Sequence, residues 1–166
     1  MNTINTLQLI TKEGTKLNLS KKAAELSILL KSTIQDFDDE HELKVPLNDI
    51  DEKTANKVIE YLDHWSGSLP AEIEKPLKSN DMKEVTDEWS ANFVDSLEME
   101  DLVDLTVAAN FMEIQHLLDL TCAKIASMCK DKTEEEIFKT FGVTETFTEE
   151  EKAKIREENK WIEDNL

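Results

Sequence analysis

Any chemistry in this chain would have to come from three histidines, two cysteines and an abundance of carboxylates. His41, His64 and His116 are dispersed, and none stands in a His-x-x-x-His or Cys-x-x-Cys spacing that would bring two metal ligands together. Cys122 and Cys129 lie two helical turns apart, roughly 10 Å by the helical rise, which is too far for a disulfide. Two unpaired thiols suit a reducing cytosol or nucleus. On an apolar stripe, Cys122 reads as a small buried hydrophobe rather than a nucleophile. The three glycines are scattered, so no Gly-rich phosphate loop exists. Glu98 and Glu100 could mimic a glycosidase pair, but a chain with 37 Asp and Glu residues offers many such pairs by chance. The residue types predict no catalytic residue, no metal site and no cofactor.

The composition narrows the partners. With 166 residues, a 39% apolar fraction and a formal charge of −18, the chain can bury a core but should not bind a phosphate backbone or an anionic membrane. No apolar run approaches the ~18 residues of a membrane span, and no signal peptide is expected at the start. Neither nucleic acid nor membrane is an expected partner.

The elements that would position a binding surface centre on residues 99–129. Ile114, Leu117, Leu118, Thr121, Cys122, Ile125, Met128 and Cys129 recur at three- and four-residue steps, which predicts one apolar stripe of a helix. Before it, residues 102–109 are apolar nearly all round, predicting a shorter, buried helix. Asn110-Phe111-Met112-Glu113 interrupts the period, with Asn tolerable at a helix stop and an aromatic at the corner. Upstream, residues 5–10 and 16–19 alternate polar and apolar around Gly14, predicting a β-hairpin. Ser20 is a plausible N-cap for one helix carrying Ala23, Ala24, Leu26, Ser27 and Leu30. After an acidic loop over 35–42, Pro46 makes 43–47 extended. Asp51 caps a helix with Ala55, Val58, Ile59 and Leu62 on its stripe. Residues 66–85 read as a surface loop, and Thr86 as the cap of a helix bearing Trp89 and Phe93.

Two capping boxes, Thr133-Glu134-Glu135-Glu136 and Thr148-Glu149-Glu150-Glu151, start the last two helices. The first carries Ile137, Phe138 and Phe141. The second, to about Glu163, offers only Ala153, Ile155, Trp161 and Ile162 among many charges. Helices so polar bury little by themselves, so their aromatic residues suggest a surface that a partner completes. Residues 1–130 are expected to form one domain and 131–166 a helical extension.

Six segments also match a known family in its own order. They are Ala23-Ala24-Glu25-Leu26-Ser27, Lys57-Val58-Ile59-Glu60-Tyr61, Ala108-Ala109-Asn110-Phe111, Leu117-Leu118-Asp119-Leu120-Thr121-Cys122, Lys132-Thr133-Glu134-Glu135-Glu136-Ile137 and Arg156-Glu157-Glu158-Asn159-Lys160-Trp161. Together they resemble the S-phase kinase-associated protein 1 family over nearly the whole chain. The resemblance implies a helix-rich α/β fold, a BTB/POZ-type domain with a small sheet plus two C-terminal helices. It also implies a non-enzymatic adaptor between a cullin scaffold and F-box substrate receptors in ubiquitin ligases, in cytoplasm and nucleus.

Carried over by position, Asn110 and Phe111 fall where the family meets the cullin. Leu118, Cys122, Ile125, Ile137, Phe141, Ile155 and Trp161 fall in the segments that cradle the F-box. The chain departs from the family in having Phe111 for Tyr, which removes a hydroxyl from the cullin face. It also has Trp89-Ser90 for Trp-Asp, Trp161-Ile162 for Trp-Cys, and a shorter acidic loop around 38–42 than many members. From pattern alone, Phe111 fits either a side chain folded onto the core or an exposed anchor, and the resemblance favours the anchor. The contrasting reading is an acidic module that binds by charge, which rising salt would weaken. A relative serving a different scaffold, as elongin C does, ends before the two C-terminal helices.

Overall fold

The computed structural model describes residues 6–35, 43–143 and 147–160. Residues up to Asp131 form one compact unit, and those from Lys132 on form a second.

The first unit opens with the expected hairpin. Strands β1 (Thr6–Ile10) and β2 (Lys16–Ser20) pair antiparallel, with Leu7 opposite Leu19 and Leu9 opposite Leu17. Gly14 takes φ +85 in the turn, a conformation a side chain would oppose. Strand β3 (Lys44–Pro46) joins the other edge of β1 in parallel, giving the order β2-β1-β3. Leu7, Leu9, Leu19 and Val45 all point into the core from this small sheet.

The helix expected after Ser20 is instead two. Helix α1 (Lys21–Ala24) is capped by Ser20 Oγ, and α2 (Ile28–Gln35) restarts after a tight turn. Ser27 causes the break. Its buried hydroxyl accepts from Leu30 N–H at 3.1 Å and donates to the Met112 carbonyl at 2.5 Å. A serine that caps in this way competes with helix continuation.

Helix α3 (Glu52–His64) is capped as expected, with Thr54 N–H donating to Asp51 Oδ1 at 2.7 Å. It buries Ala55, Val58, Tyr61 and Leu62, while Ile59 is half-buried. The Thr54 amide holds the Asp51 carboxyl below the ordinary aspartate range, more than its slight burial raises it. Asp51→Ala is therefore expected to cost about 1 kcal/mol at neutral pH. A carboxyl depressed in the folded state stabilises above its unfolded pKa and loses that contribution as pH falls through the folded value. The deficit should thus shrink below about pH 4. Urea titrations of both proteins at neutral and acid pH check this; a gap independent of pH contradicts it.

The segment 66–85 is not loop throughout. Its end forms α4 (Met82–Val85), which buries Met82, and Ile73 and Leu77 lie partly buried against the core. Helix α5 (Glu88–Asp95) is capped by Asp87, whose Oδ1 accepts from Ser90 N–H at 2.9 Å; Thr86 instead closes α4. Trp89 and Phe93 stack at 5.1 Å between centroids, and His64 stacks on Trp89 at 3.6 Å.

Helices α6 (Met99–Phe111) and α7 (Gln115–Cys129) make the central hairpin and pack against each other. The residue in the left-handed region at their corner is Glu113, at φ 52, rather than Asn110. Asn110 and Phe111 complete the last turn of α6.

The second unit contains α8 (Glu134–Thr140) and α9 (Glu149–Glu158), each started by its capping box. In α8, Thr133 N–H donates to Glu136 Oε2 at 2.9 Å; in α9, Thr148 N–H donates to Glu151 Oε2 at 2.8 Å. The helix expected to reach Glu163 is described only to Glu158, with Asn159 as its cap. No residue of α9 is buried, so local bonds carry much of its stability. Its amides should exchange with solvent orders of magnitude faster than those of Leu117–Ala123 in the free protein. Equal protection in a hydrogen-exchange experiment would contradict this.

Candidate docking surfaces

The first surface lies on α6. This helix is not buried all round: Leu102, Leu105, Ala108 and Ala109 face the core, while Val103, Val107 and Phe111 are 44%, 64% and 50% exposed. Their spacing of four residues aligns them on one stripe. Exposed Asn110 sits beside Phe111 at the end of the stripe. Ile28, 60% exposed, begins α2 at the same corner, because its N–H donates to the Glu113 carbonyl at 3.3 Å. Val103, Val107 and Ile28 are the members that sequence reasoning missed. A helix apolar on nearly every side reads as wholly buried, yet the run Val103-Val107-Phe111 carried the signal.

The second surface lies on α7, where the single expected stripe divides in two. Leu117, Leu120, Thr121, Ala123 and Ser127 are buried, facing α5 and α6. Leu118, Cys122, Ile125 and Cys129 follow one another at four-, three- and four-residue steps on an adjacent seam. On that seam Leu118, Ile125 and Cys129 are half-buried and Cys122 is exposed, so the expectation of a buried cysteine is corrected.

The second unit supplies a third set of apolar groups. No residue of α8 is buried; Ile137, Phe138 and Phe141 are half-buried. Val143 and Phe147 are exposed, and Ile155 is 40% exposed on α9. Trp161 lies outside the described residues. The expectation that these helices cannot close a core alone agrees with this burial pattern.

The remaining candidates for chemistry are dispersed. His64 is committed to its stack on Trp89, His116 is half-buried in the first turn of α7, and His41 lies outside the described residues.

A three-stranded sheet covered by helices, followed by two polar helices, defines a helix-rich α/β protein of POZ type. Residues 5–66 match the family model described as Skp1 family, tetramerisation domain, and residues 115–162 match Skp1 family, dimerisation domain. The chain is 38% identical to an S-phase kinase-associated protein 1 homolog of Tetrahymena thermophila, over 95% of this chain and 94% of that protein. It is 35% identical to the E3 ubiquitin ligase complex SCF subunit sconC of Arthroderma benhamiae, over 96% of each. The sconC protein of Neosartorya fischeri is 34% identical over 97% of this chain and its whole length. The chain belongs to the Skp1 family.

Proposed function

We propose that the protein is a non-enzymatic adaptor that joins a cullin scaffold to F-box substrate receptors within a ubiquitin ligase complex. One observation carries the reading: large apolar side chains stand exposed on different helices of a protein whose net charge of −18 would otherwise keep it solvated and apart. The names of its relatives, as SCF ligase subunits and an S-phase kinase-associated protein 1 homolog, support the class.

The cullin N-terminal region docks on the α6 stripe, with Phe111 as anchor, Asn110 as its polar neighbour, and Val103, Val107 and Ile28 as surround. The F-box segment docks on the α7 seam through Leu118, Cys122 and Ile125, and on the second unit through Ile137, Phe141 and Ile155. Trp161 joins this set on the strength of the family resemblance. Two free thiols, one of them exposed, fit residence in the reducing cytoplasm and nucleus.

Calorimetric titration with a purified F-box domain at low and high salt tests the assignment. Apolar docking predicts binding that persists at high salt. Binding that collapses as salt rises would favour the charge-driven acidic module instead.

A further inference from the structure

The lysines are not spread evenly over this acidic chain. Residues 1–35 hold Lys12, Lys16, Lys21, Lys22 and Lys31 against only Glu13 and Glu25, a balance of +3 in a chain of −18. Of those two acids, Glu13 already accepts from the Thr11 hydroxyl at 2.9 Å and from the Glu52 N–H at 3.1 Å. Lys12, Lys16 and Lys22 are exposed, and neither Lys16 nor Lys22 has an ion pair among the described residues.

These lysines bracket an edge strand. The order β2-β1-β3 leaves one side of β2 without a neighbouring strand among the described residues. The pairing fixes which backbone groups lie on that side. Gln8 N–H donates to the Leu43 carbonyl at 2.8 Å, and Leu47 N–H donates to the Ile10 carbonyl at 2.7 Å, so the even residues of β1 bond toward β3. Leu7 and Leu9 therefore bond toward β2, to their partners Leu19 and Leu17. Lys16 and Asn18 alternate with those partners, so their N–H and C=O groups point out of the free edge.

We propose that the β2 edge takes an extended acidic segment of a partner protein as a fourth strand. Its backbone completes the hydrogen bonds of Lys16 and Asn18, and its carboxylates lie beside Lys16, with Lys12 and Lys22 near the two ends of the strand. Charge elsewhere on the chain is screened beyond roughly 8 Å at physiological salt, so the local lysines decide which strand is accepted. Lysine on an edge also discourages pairing with uncharged strands. A second copy fits less well, because antiparallel self-pairing centred on Asn18 sets Lys16 of each copy against Ser20 of the other, next to Lys21. Residues 5–66 match a domain described as tetramerising, so the test must also separate pairing between copies. Neither docking surface described above includes a residue of β2, and the acidic segment is a third partner, distinct from cullin and F-box.

The probe is a blocked synthetic peptide in which Glu alternates with Thr, titrated into the full chain and followed by amide resonances. Binding is expected, with shifts and slowed hydrogen exchange at Lys16 and Asn18 and no change at Phe111 or Leu118. Lys16→Glu with Lys22→Glu is expected to weaken it by about tenfold or more while the melting temperature holds. The same peptide N-methylated throughout keeps its carboxylates but has no amide to donate, and is expected not to bind; this arm needs no variant of the protein. Equal binding by the N-methylated peptide, or by a peptide with Lys in place of Glu, overturns strand addition selected by charge. Absence of binding, or shifts centred on another surface, overturns it as well. If Lys16 and Asn18 exchange slowly without peptide and sedimentation shows oligomers, the edge pairs with a second copy and the proposal is wrong.

Discussion

Replacing Phe111 by alanine is expected to weaken binding of a cullin N-terminal segment by about 2 kcal/mol or more, roughly thirtyfold, while F-box capture stays unchanged. The ring is half exposed at the end of α6 and contributes little to the core that Leu102, Leu105, Ala108 and Ala109 build on the opposite side. Its loss should therefore barely alter the melting temperature. An aromatic side chain at the end of an apolar stripe, with exposed Ile28 at the same corner, has the setting of an interface anchor surrounded by groups that exclude water. Calorimetry with the cullin segment checks the expectation, and an unchanged affinity would return Phe111 to an ordinary surface position. The companion change Phe111→Tyr asks a finer question. If an acceptor on the cullin faces this site, the added hydroxyl gains a hydrogen bond and binding tightens.

The double change Phe141→Ala with Ile155→Ala is expected to act on the other partner. Hot-spot side chains commonly cost ~2–4 kcal/mol on truncation, so F-box affinity should fall between about thirtyfold and a thousandfold. Neither residue is buried in the free protein, and neither α8 nor α9 contains a buried residue. Free-chain stability should therefore hardly change, and cullin binding should remain intact. The loss should also persist at high salt, since no charge is removed. Global unfolding of the double variant would show that the second unit has a core of its own.

Local signals make much of this fold legible in the amino-acid sequence. The hairpin around Gly14, the Asp51 cap and both capping boxes depend on residues within a few positions of one another, and all are present in the structure. The failures are of two kinds, one of them involving a partner distant in sequence. Ser27 splits its helix because its hydroxyl reaches the Met112 carbonyl 85 residues away, which no local pattern announces. The cap of α5 shifted from Thr86 to Asp87 because two good capping residues adjoin, and only the second has its carboxylate placed to receive Ser90 N–H.

The candidate surfaces show the same division. Periodicity marked α7 as apolar, but not that close approach by α5 and α6 would give the core side to Leu117, Leu120 and Ala123. That approach left Leu118, Cys122 and Ile125 on a separate seam. On α6 an excess of apolar residues concealed a boundary between two faces. Burial by a neighbour and burial by a future partner look alike in a sequence, because both select apolar side chains. The polar helices α8 and α9 escaped this ambiguity, since too few apolar residues were present to suggest a self-sufficient core.

An adaptor must hold two different proteins on one chain at once. Gel filtration of the chain with a purified F-box domain and a cullin N-terminal segment tests it most directly. A single peak containing all three components is expected, which loses only the cullin segment on Phe111→Ala and only the F-box domain on Phe141→Ala with Ile155→Ala. Competition, in which either partner displaces the other from the chain, would contradict it.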